Sequence, residues 1–315
     1  MSARVVAVVV AWNRRDLLAR TLDGLDSQER PVDAVVVIDN ASTDDSAALA
    51  SGHGVTTEVV SLPVNTGGAG GFAAGIAVAL RRHAADLVWI MDDDTVPTPG
   101  ALAALLEARD RYPGRVSVAA SRADWQDGRE HPMNTPRERF GLSPDERDAA
   151  ASVGAKAIRS ASFVSILIDA DAVRRHGLPE AAYFLWNDDF EYTARLLRDG
   201  VGLYVPASRV LHLTRVFGAS DADPGPRFVN EVRNKVWLFT RSDALGVRDR
   251  CLYAGSTLLR WTRMMARSRQ RRSLAAYGWR GLREGVGRKP TTTAVLAGTP
   301  VAGDVSAIEA GAGRG

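Results

Sequence analysis

The sequence predicts an α/β fold built on a largely parallel sheet and followed by a basic helical segment. Short β-branched runs alternate with helical periods through the first third of the chain, at the spacing of right-handed βαβ units. Two of the runs end in acidic residues, at Asp39-Asn40 and at Asp92-Asp93-Asp94. Ligands of such sheets bind beyond the carboxyl ends of the strands, so both acidic ends are expected in one crevice.

Arg4–Val10 reads as the first strand, and Asn13-Arg14-Arg15-Asp16 breaks it and opens a helix through Leu17, Leu18, Thr21, Leu22 and Leu25. Val35–Ile38 is a second buried strand. It runs into Asp39-Asn40-Ala41-Ser42-Thr43-Asp44, where Ser or Thr can cap a helix carrying Ala47, Ala48 and Leu49. Val55–Leu62 is a third strand. Asn65-Thr66-Gly67-Gly68-Ala69-Gly70-Gly71-Phe72 then leads into a helix through Ile76, Ala77 and Leu80. Glycines at a loop-to-helix junction let backbone approach a ligand closely, and a helix N-terminus favours an anion. The same loop also reads as a tight turn, and it matches neither the Walker loop nor the dinucleotide fingerprint.

Leu87–Met91 is a short apolar strand ending at Asp92-Asp93-Asp94. Three adjacent carboxylates repel one another unless a cation or an array of donors offsets them. Hard oxygen ligands suit Mg²⁺ or Mn²⁺, which bind through one or two carboxylates plus substrate phosphates, and this points to a nucleoside-diphosphate substrate. A solvated acidic turn is the alternative.

Residues 121–157 are polar and Arg-rich, interrupted by Trp125, Pro132, Pro136 and Pro144, and read as an irregular excursion near the acceptor side. Ser162–Ile168 is a strand, and a helix beginning at Asp171 stops at Gly177. In Trp186-Asn187-Asp188-Asp189-Phe190-Glu191, Asn187 or Asp188 can cap a helix carrying Phe190, Leu196 and Leu197. A carboxylate here could remove a proton from an acceptor hydroxyl. A plain N-terminal box with Glu191 in the first turn explains the same residues. Val201–Val205 and Ser208–Leu213 are further strands, the second carrying His212 in a position where a hydrogen-bonded core histidine is the simple reading. Residues 216–226 form a loop that could close over a diphosphate.

The chain of 315 residues, 45% hydrophobic, can bury one large domain or one domain with an appendage. One cysteine, Cys251, excludes an intramolecular disulfide and fits a reducing setting. No apolar run approaches the ~20 residues that span a bilayer, so neither secretion nor spanning is expected. Between Arg260 and Lys289 stand ten basic residues against one acidic, Glu284, leaving 30 basic against 36 acidic elsewhere. Leu258, Trp261 and Met265 share a helical face, with Arg260, Arg263 and Arg267 on the other side, as in an interfacial helix for anionic lipid. A solvated helix is the simpler alternative; nucleic acid is not expected, because no recognition module is present and the body is acidic.

The ordered set Val-Val-Val-Ala-Trp-Asn-Arg, Val-Ile-Asp-Asn-Ala-Ser-Thr-Asp, Asn-Thr-Gly-Gly-Ala-Gly-Gly-Phe and Trp-Ile-Met-Asp-Asp-Asp resembles inverting family 2 glycosyltransferases of GT-A fold. In its glycine form it most resembles the galactofuranosyltransferases of the mycobacterial cell wall. The resemblance spans roughly residues 4 to 240. It departs from the usual Thr-Tyr-Asn-Arg at Ala11 and Trp12. It implies a Rossmann-like nucleotide-binding sheet within a mixed sheet, and Mn²⁺ or Mg²⁺ held by Asp94 and His212. Trp12 and Asp39 would meet uracil or ribose, Asp92 would lie near the ribose, and Asn65 with Gly67 and Gly68 would face the donor sugar. Asp93 would turn inward. Asp189 would be the base, with Asp188 and Trp186 at the acceptor, and Arg227, Arg233 and Asn234 would lie near the diphosphate.

The resulting expectation is transfer of galactofuranose from UDP to a polyprenyl-diphosphate-linked glycan at the cytoplasmic face of the membrane, by a peripheral enzyme that could form a homo-oligomer. Use of dTDP-rhamnose, a noncatalytic nucleotide-sugar-binding protein and a nucleotidyltransferase are the rivals. The expected organisation is a catalytic domain over 1–240, a basic membrane-associating helical segment over 241–289 and a disordered tail over 290–315.

Overall fold

A computed structural model describes residues 3–214, 217 and 224–312. Residues 216 and 218–223 of the expected diphosphate-covering loop lie outside the described residues. In chain order, β1 (Val5–Ala11), α1 (Arg15–Asp26), β2 (Ala34–Asp39), α2 (Ser46–Gly52), β3 (Glu58–Ser61), α3 (Gly67–Arg81) and β4 (Leu87–Asp92) form the expected βα succession. The short β5 (Thr95–Pro97), α4 (Ala101–Arg111), β6 (Val116–Asp124), β7 (Arg137–Glu138), α5 (Pro144–Ser152) and β8 (Lys156–Ser160) follow. Next come β9 (Ser165–Asp169), α6 (Ala170–His176), α7 (Asp188–Leu196) and β10 (Val201–His212). The chain continues through α8 (Phe228–Arg241), α9 (Val247–Arg267), α10 (Arg271–Val286), α11 (Thr292–Val295) and α12 (Ala302–Gly311).

The sheet runs β3-β2-β1-β4-β9-β6-β10-β8-β7, with β5 paired to β10. β3, β2, β1 and β4 are parallel neighbours, whereas β9 runs antiparallel between β4 and β6. This is the expected mixed sheet. Both faces are covered, which is why the strands read as continuous apolar runs. Val6, Val8 and Val10 of β1 enter the layer beneath α3, and Val5, Ala7 and Val9 enter the layer beneath α1 and α4. The two strands expected at 201–205 and 208–213 are one strand, β10, with register shifts against β6 where the gap was expected. The 121–157 excursion contains β7, α5 and β8, and α5 is opened by a capping box between Ser143 and Glu146.

The glycine-rich stretch carries a correction. Helix α3 begins at Gly67 itself, and two of the glycines serve packing: a Cβ on Gly70 would overlap Thr66, and one on Gly71 would overlap Val10 of β1. They bring the helix down onto the sheet instead of loosening a loop.

The C-terminal segment corrects two further expectations. Residues 292–311 are not disordered as far as they are described: α11 and α12 pack against the α3 side, with Leu296, Val301 and Val305 fully buried. Arg82 donates to Asp304 Oδ2 at 2.8 Å and the Leu178 amide to Glu309 Oε1 at 2.8 Å. Val301, Val305 and Ile308 stand at helical spacing, a stripe masked by the surrounding Ala and Gly. In α9, Trp261 and Met265 do not face outward; they pack with Phe228, Val232 and Leu274, while Leu252, Leu258 and Leu259 are exposed. A second exposed apolar stripe, Trp279, Leu282 and Val286 at i, i+3 and i+7, lies on α10. Among the described residues no helix is long and apolar enough to cross a membrane.

If the tail is part of the core, Val305→Asp places a carboxylate in an apolar layer and lowers unfolding free energy by about 2–4 kcal/mol. A urea midpoint equal to that of the unaltered chain would show that α12 contributes nothing to stability.

Candidate active site

The carboxyl ends of β1, β2 and β4 meet as the parallel register dictates, with Val10 beside Asp92 and Ala11 beside Asp39. Asp93 turns inward: its Oδ2 accepts from the Trp12 amide at 2.9 Å and its carbonyl from Thr21 Oγ1 at 2.9 Å. Burial pushes its carboxyl up to about 6, against the pull of the Trp12 amide and Arg14. Arg14 bridges Asp93 and Asp94. Asp92 is pushed well above the carboxylate range by burial and then by Asp94 and Asp93. Burial acts in the same direction on Asp94, but His212 and Arg14 outweigh it and hold that carboxyl below its ordinary value.

His212 reaches this corner through the sheet. β10 pairs antiparallel with β5 so that His212 lies opposite Thr95, and the Leu213 amide donates to the Asp94 carbonyl at 2.9 Å. His212 Nε2 stands 3.3 Å from Asp94 Oδ1, a buried oxygen that makes no hydrogen bond among the described residues. The other ring nitrogen, Nδ1, is 2.9 Å from Asn134 Oδ1, and the Asn134 amide nitrogen donates to Ser162 Oγ at 3.2 Å. With the Asn134 oxygen toward Nδ1, that nitrogen carries a proton and Nε2 turns toward Asp94 Oδ1. The two atoms meet across a proton, which makes the ring a cation, or across a metal ion. One ligand atom each from Asp92, Asp94 and His212 lies within 4.8 Å of the others. The donor set, two carboxylates and an imidazole, fits Mn²⁺, with Mg²⁺ less suited to nitrogen.

Asp39 is buried, and one of its oxygens accepts from the Ser42 amide at 3.1 Å. Trp12 is 51% exposed. Asn65 Oδ1 accepts from the Gly67 amide at 2.8 Å, so it shapes the start of α3. Asn40, which sequence reasoning passed over as part of a motif, accepts from the Thr66 amide at 2.8 Å and donates to the Gly67 carbonyl at 2.9 Å. It ties the glycine segment to the end of β2.

The second acidic cluster approaches from α7. A Cβ on Gly68 would lie 3.8 Å from Asp188 Oδ2, so the N-termini of α3 and α7 converge. Asp188 is buried and pushed up to about 8, by burial first and then by Asp189. Asp189 is only partly buried, accepts from the Phe190 amide at 2.7 Å, and is also raised, chiefly by burial. A protonated Asp188 next to an ionisable, more open Asp189 is a division of roles between two carboxyl groups. Trp186 is partly buried beside them.

Arg233 is the site expectation whose surroundings differ most. Its guanidinium donates to the Tyr183 carbonyl at 2.9 Å and to Asn234 Oδ1 at 3.0 Å and lies over the Trp237 ring at 4.8 Å. These contacts, with Glu284 3.8 Å from its Nη1, hold the side chain against the protein. The Arg-Asn pair gave no sequence signal for that role.

The mixed sheet, with an acidic strand end, a histidine beside it and a carboxylate pair at the N-terminus of α7, has the fold of GT-A glycosyltransferases. The chain belongs to glycosyl transferase family 2, whose model matches residues 6–174. It is 34% identical over 201 residues to the galactofuranosyltransferase GlfT1 of Mycolicibacterium smegmatis, a match covering 62% of this chain and 66% of that protein. It is 33% identical over 205 residues to the GlfT1 of Mycobacterium tuberculosis strain H37Rv, covering 64% of this chain and 67% of that one. The match thus spans about two thirds of these relatives. Among solved structures, Staphylococcus aureus TarS 1–349 in complex with UDP-GlcNAc superposes with a TM-score of 0.62 at 16% identity, over 97% of this chain and 88% of that one. GalNAc-T7 with UDP, GalNAc and Mn²⁺ gives 0.55 at 17% identity, over 73% of this chain and 48% of that one. At these identities the likeness is one of fold.

Proposed function

We propose that this glycosyltransferase moves galactofuranose from UDP-galactofuranose to a hydroxyl of a polyprenyl-diphosphate-linked glycan, in one displacement that inverts the anomeric carbon. The observation that carries the reading is the Asp92-Asp94-His212 cluster together with Asp188, which lies beside Gly68 at the start of α3 and whose charge acts on Asp92. Asp94 and His212, with Asp92 beside them, would hold Mn²⁺, which supplies positive charge for the departing UDP. Trp12 and Asp39 face the nucleoside, and the α3 N-terminus with Gly67 and Gly68 favours the negative end of the donor. Asp189 accepts the acceptor's hydroxyl proton as the new C–O bond forms. Asp188 and Trp186 orient that sugar. The named activity of the GlfT1 relatives supports the choice of donor.

The α10 stripe supports docking on anionic lipid at the inner membrane face, since Arg271, Arg272, Arg280 and Arg283 share the helix with exposed Trp279, Leu282 and Val286. A catalytic unit over 1–240 with a membrane-associating segment over 241–289 fits that reading.

The test is UDP release with Mn²⁺ and a short lipid-linked acceptor mimic, comparing UDP-galactofuranose, UDP-galactopyranose, UDP-glucose and dTDP-rhamnose. Turnover with UDP-galactofuranose alone is expected. Turnover confined to dTDP-rhamnose would move the protein to the rhamnosyltransferases, and no turnover with any donor would sink the enzyme reading.

A further inference from the structure

The segment that delivers Asp188 and Asp189 is strained. Phe184 has φ 63° and ψ −62°, and the Leu185 amide donates to the Tyr183 carbonyl at 2.7 Å, which defines a γ-turn of the rare positive-φ kind. Trp186 at φ 70° and Asn187 at φ 64° follow, so non-glycine residues occupy the left-handed half of φ space at three of four consecutive positions. Such backbone persists only where its surroundings over-determine it, and it concentrates at functional sites.

The surroundings here are one face of α8. Asn234 is fully buried, and its amide nitrogen lies 2.9 Å from the Tyr183 carbonyl, 3.0 Å from that of Leu185 and 2.7 Å from that of Trp186. Its own oxygen accepts from Arg233 Nε at 3.0 Å, and Arg233 also donates to the Tyr183 carbonyl. One turn back on the helix, Glu231 accepts from the Asn187 side chain at 2.8 Å. The Phe184 carbonyl, on the far side of the turn, accepts from the Ala69 amide of α3 at 3.3 Å. A Cβ on Gly67 would overlap that carbonyl, so only glycine lets the two segments meet. The strained turn thus lies between the helix that faces the donor and the helix that carries the base.

We propose that Asn234 is a positioning residue: it clamps the 183–187 turn in its strained form and thereby fixes Asp189 and Trp186 relative to the start of α3. Irregular buried carbonyls must find donors, and an amide that serves three of them cannot be replaced by an apolar side chain of similar size. Arg233 supports the same turn, which is a different task from binding diphosphate. Small displacements of a reacting group lower rates steeply, about 10²-fold for 1 Å. The inference rests on the reading of Asp189 as the base.

The test uses the full chain with UDP-galactofuranose, Mn²⁺ and the acceptor mimic, together with hydrogen exchange over residues 183–190, which needs no substrate. Asn234→Ala is expected to lower kcat by about 10–100-fold, with the KM for donor and the affinity for UDP within about twofold of the parent. It should also speed exchange of the Leu185 amide. Adding Phe184→Gly, which removes the steric penalty at φ 63°, should recover at least part of the lost kcat. An unchanged kcat and unchanged exchange in Asn234→Ala, or a loss of UDP affinity in proportion to the loss of rate, would overturn the proposal. Asp189→Asn, run alongside, separates the two ideas: full activity there removes the base assignment, whatever Asn234 does. If Asn234→Ala does not fold, Asn234→Ser, which keeps one donor, takes its place. If neither folds, Phe184→Gly in the otherwise unaltered chain decides, since a strained turn gains thermal stability from glycine and a loss of stability would overturn the proposal.

Discussion

Asp189→Asn is expected to lower kcat by about 10²–10⁴-fold while leaving the affinity for UDP and Mn²⁺ unchanged. Asparagine keeps the shape and can still meet the Phe190 amide, so the change isolates the proton-accepting function. The pH dependence gives an independent check. Burial raises Asp189, and the neighbouring Asp188, raised to about 8, is mostly protonated at neutral pH and spares Asp189 a like charge. A base acts only when ionised. Turnover should therefore rise with pH through a midpoint above that of an unperturbed aspartate, and that limb should vanish in the variant. A noncatalytic nucleotide-sugar-binding protein would bind donor equally well with either residue and release no UDP with both. An Asp189→Asn enzyme with the parent's kcat would remove the residue from the chemistry.

Asp94→Asn is expected to weaken Mn²⁺ binding and to lower turnover by about 10³-fold or more, since a metal at a leaving group contributes several kcal/mol and each 1.36 kcal/mol is tenfold. Asp94 Oδ1 is buried, lies 3.3 Å from His212 Nε2 and belongs to the Asp92-Asp94-His212 cluster. Replacing that oxygen by an amide nitrogen supplies a proton to His212 Nε2 and fills the place of the cation with a hydrogen bond. Asn134→Ala should act in the same direction more mildly, about 10–100-fold in Mn²⁺ affinity, because it frees the His212 ring to turn. Electron paramagnetic resonance titration of Mn²⁺ measures both without turnover. Unchanged Mn²⁺ affinity in Asp94→Asn would exclude this corner as the metal site.

Sequence and structure agree where the signal is local. A β-branched run ended by carboxylates needs no partner to be recognised, and the parallel βαβ order then brings Asp39 and Asp92 to one edge. The failures share a different character. The glycine-rich stretch reads as a ligand-approaching loop or a tight turn, because the packing of Gly70 on Thr66 and Gly71 on Val10 becomes visible only once α3 lies on β1. Of the outward face assigned to α9, Trp261 and Met265 lie against α8 and α10, and only Leu258 stays exposed. The average composition of the tail reads as disorder, although its three well-spaced apolar residues suffice when α3 and α6 offer an apolar surface for them.

By itself the sequence determined the class of fold, the acidic strand end, the carboxylate pair at a helix start and the family, since each is written in residues a few positions apart. Only the tertiary structure decided what holds those groups in place: Asn134 on His212, 78 residues away, and Asn234 on the Tyr183 carbonyl, 51 residues away. A buried amide chooses its partners by which backbone happens to be irregular next to it, and that depends on packing between distant segments. Periodicity and spacing carry no record of it.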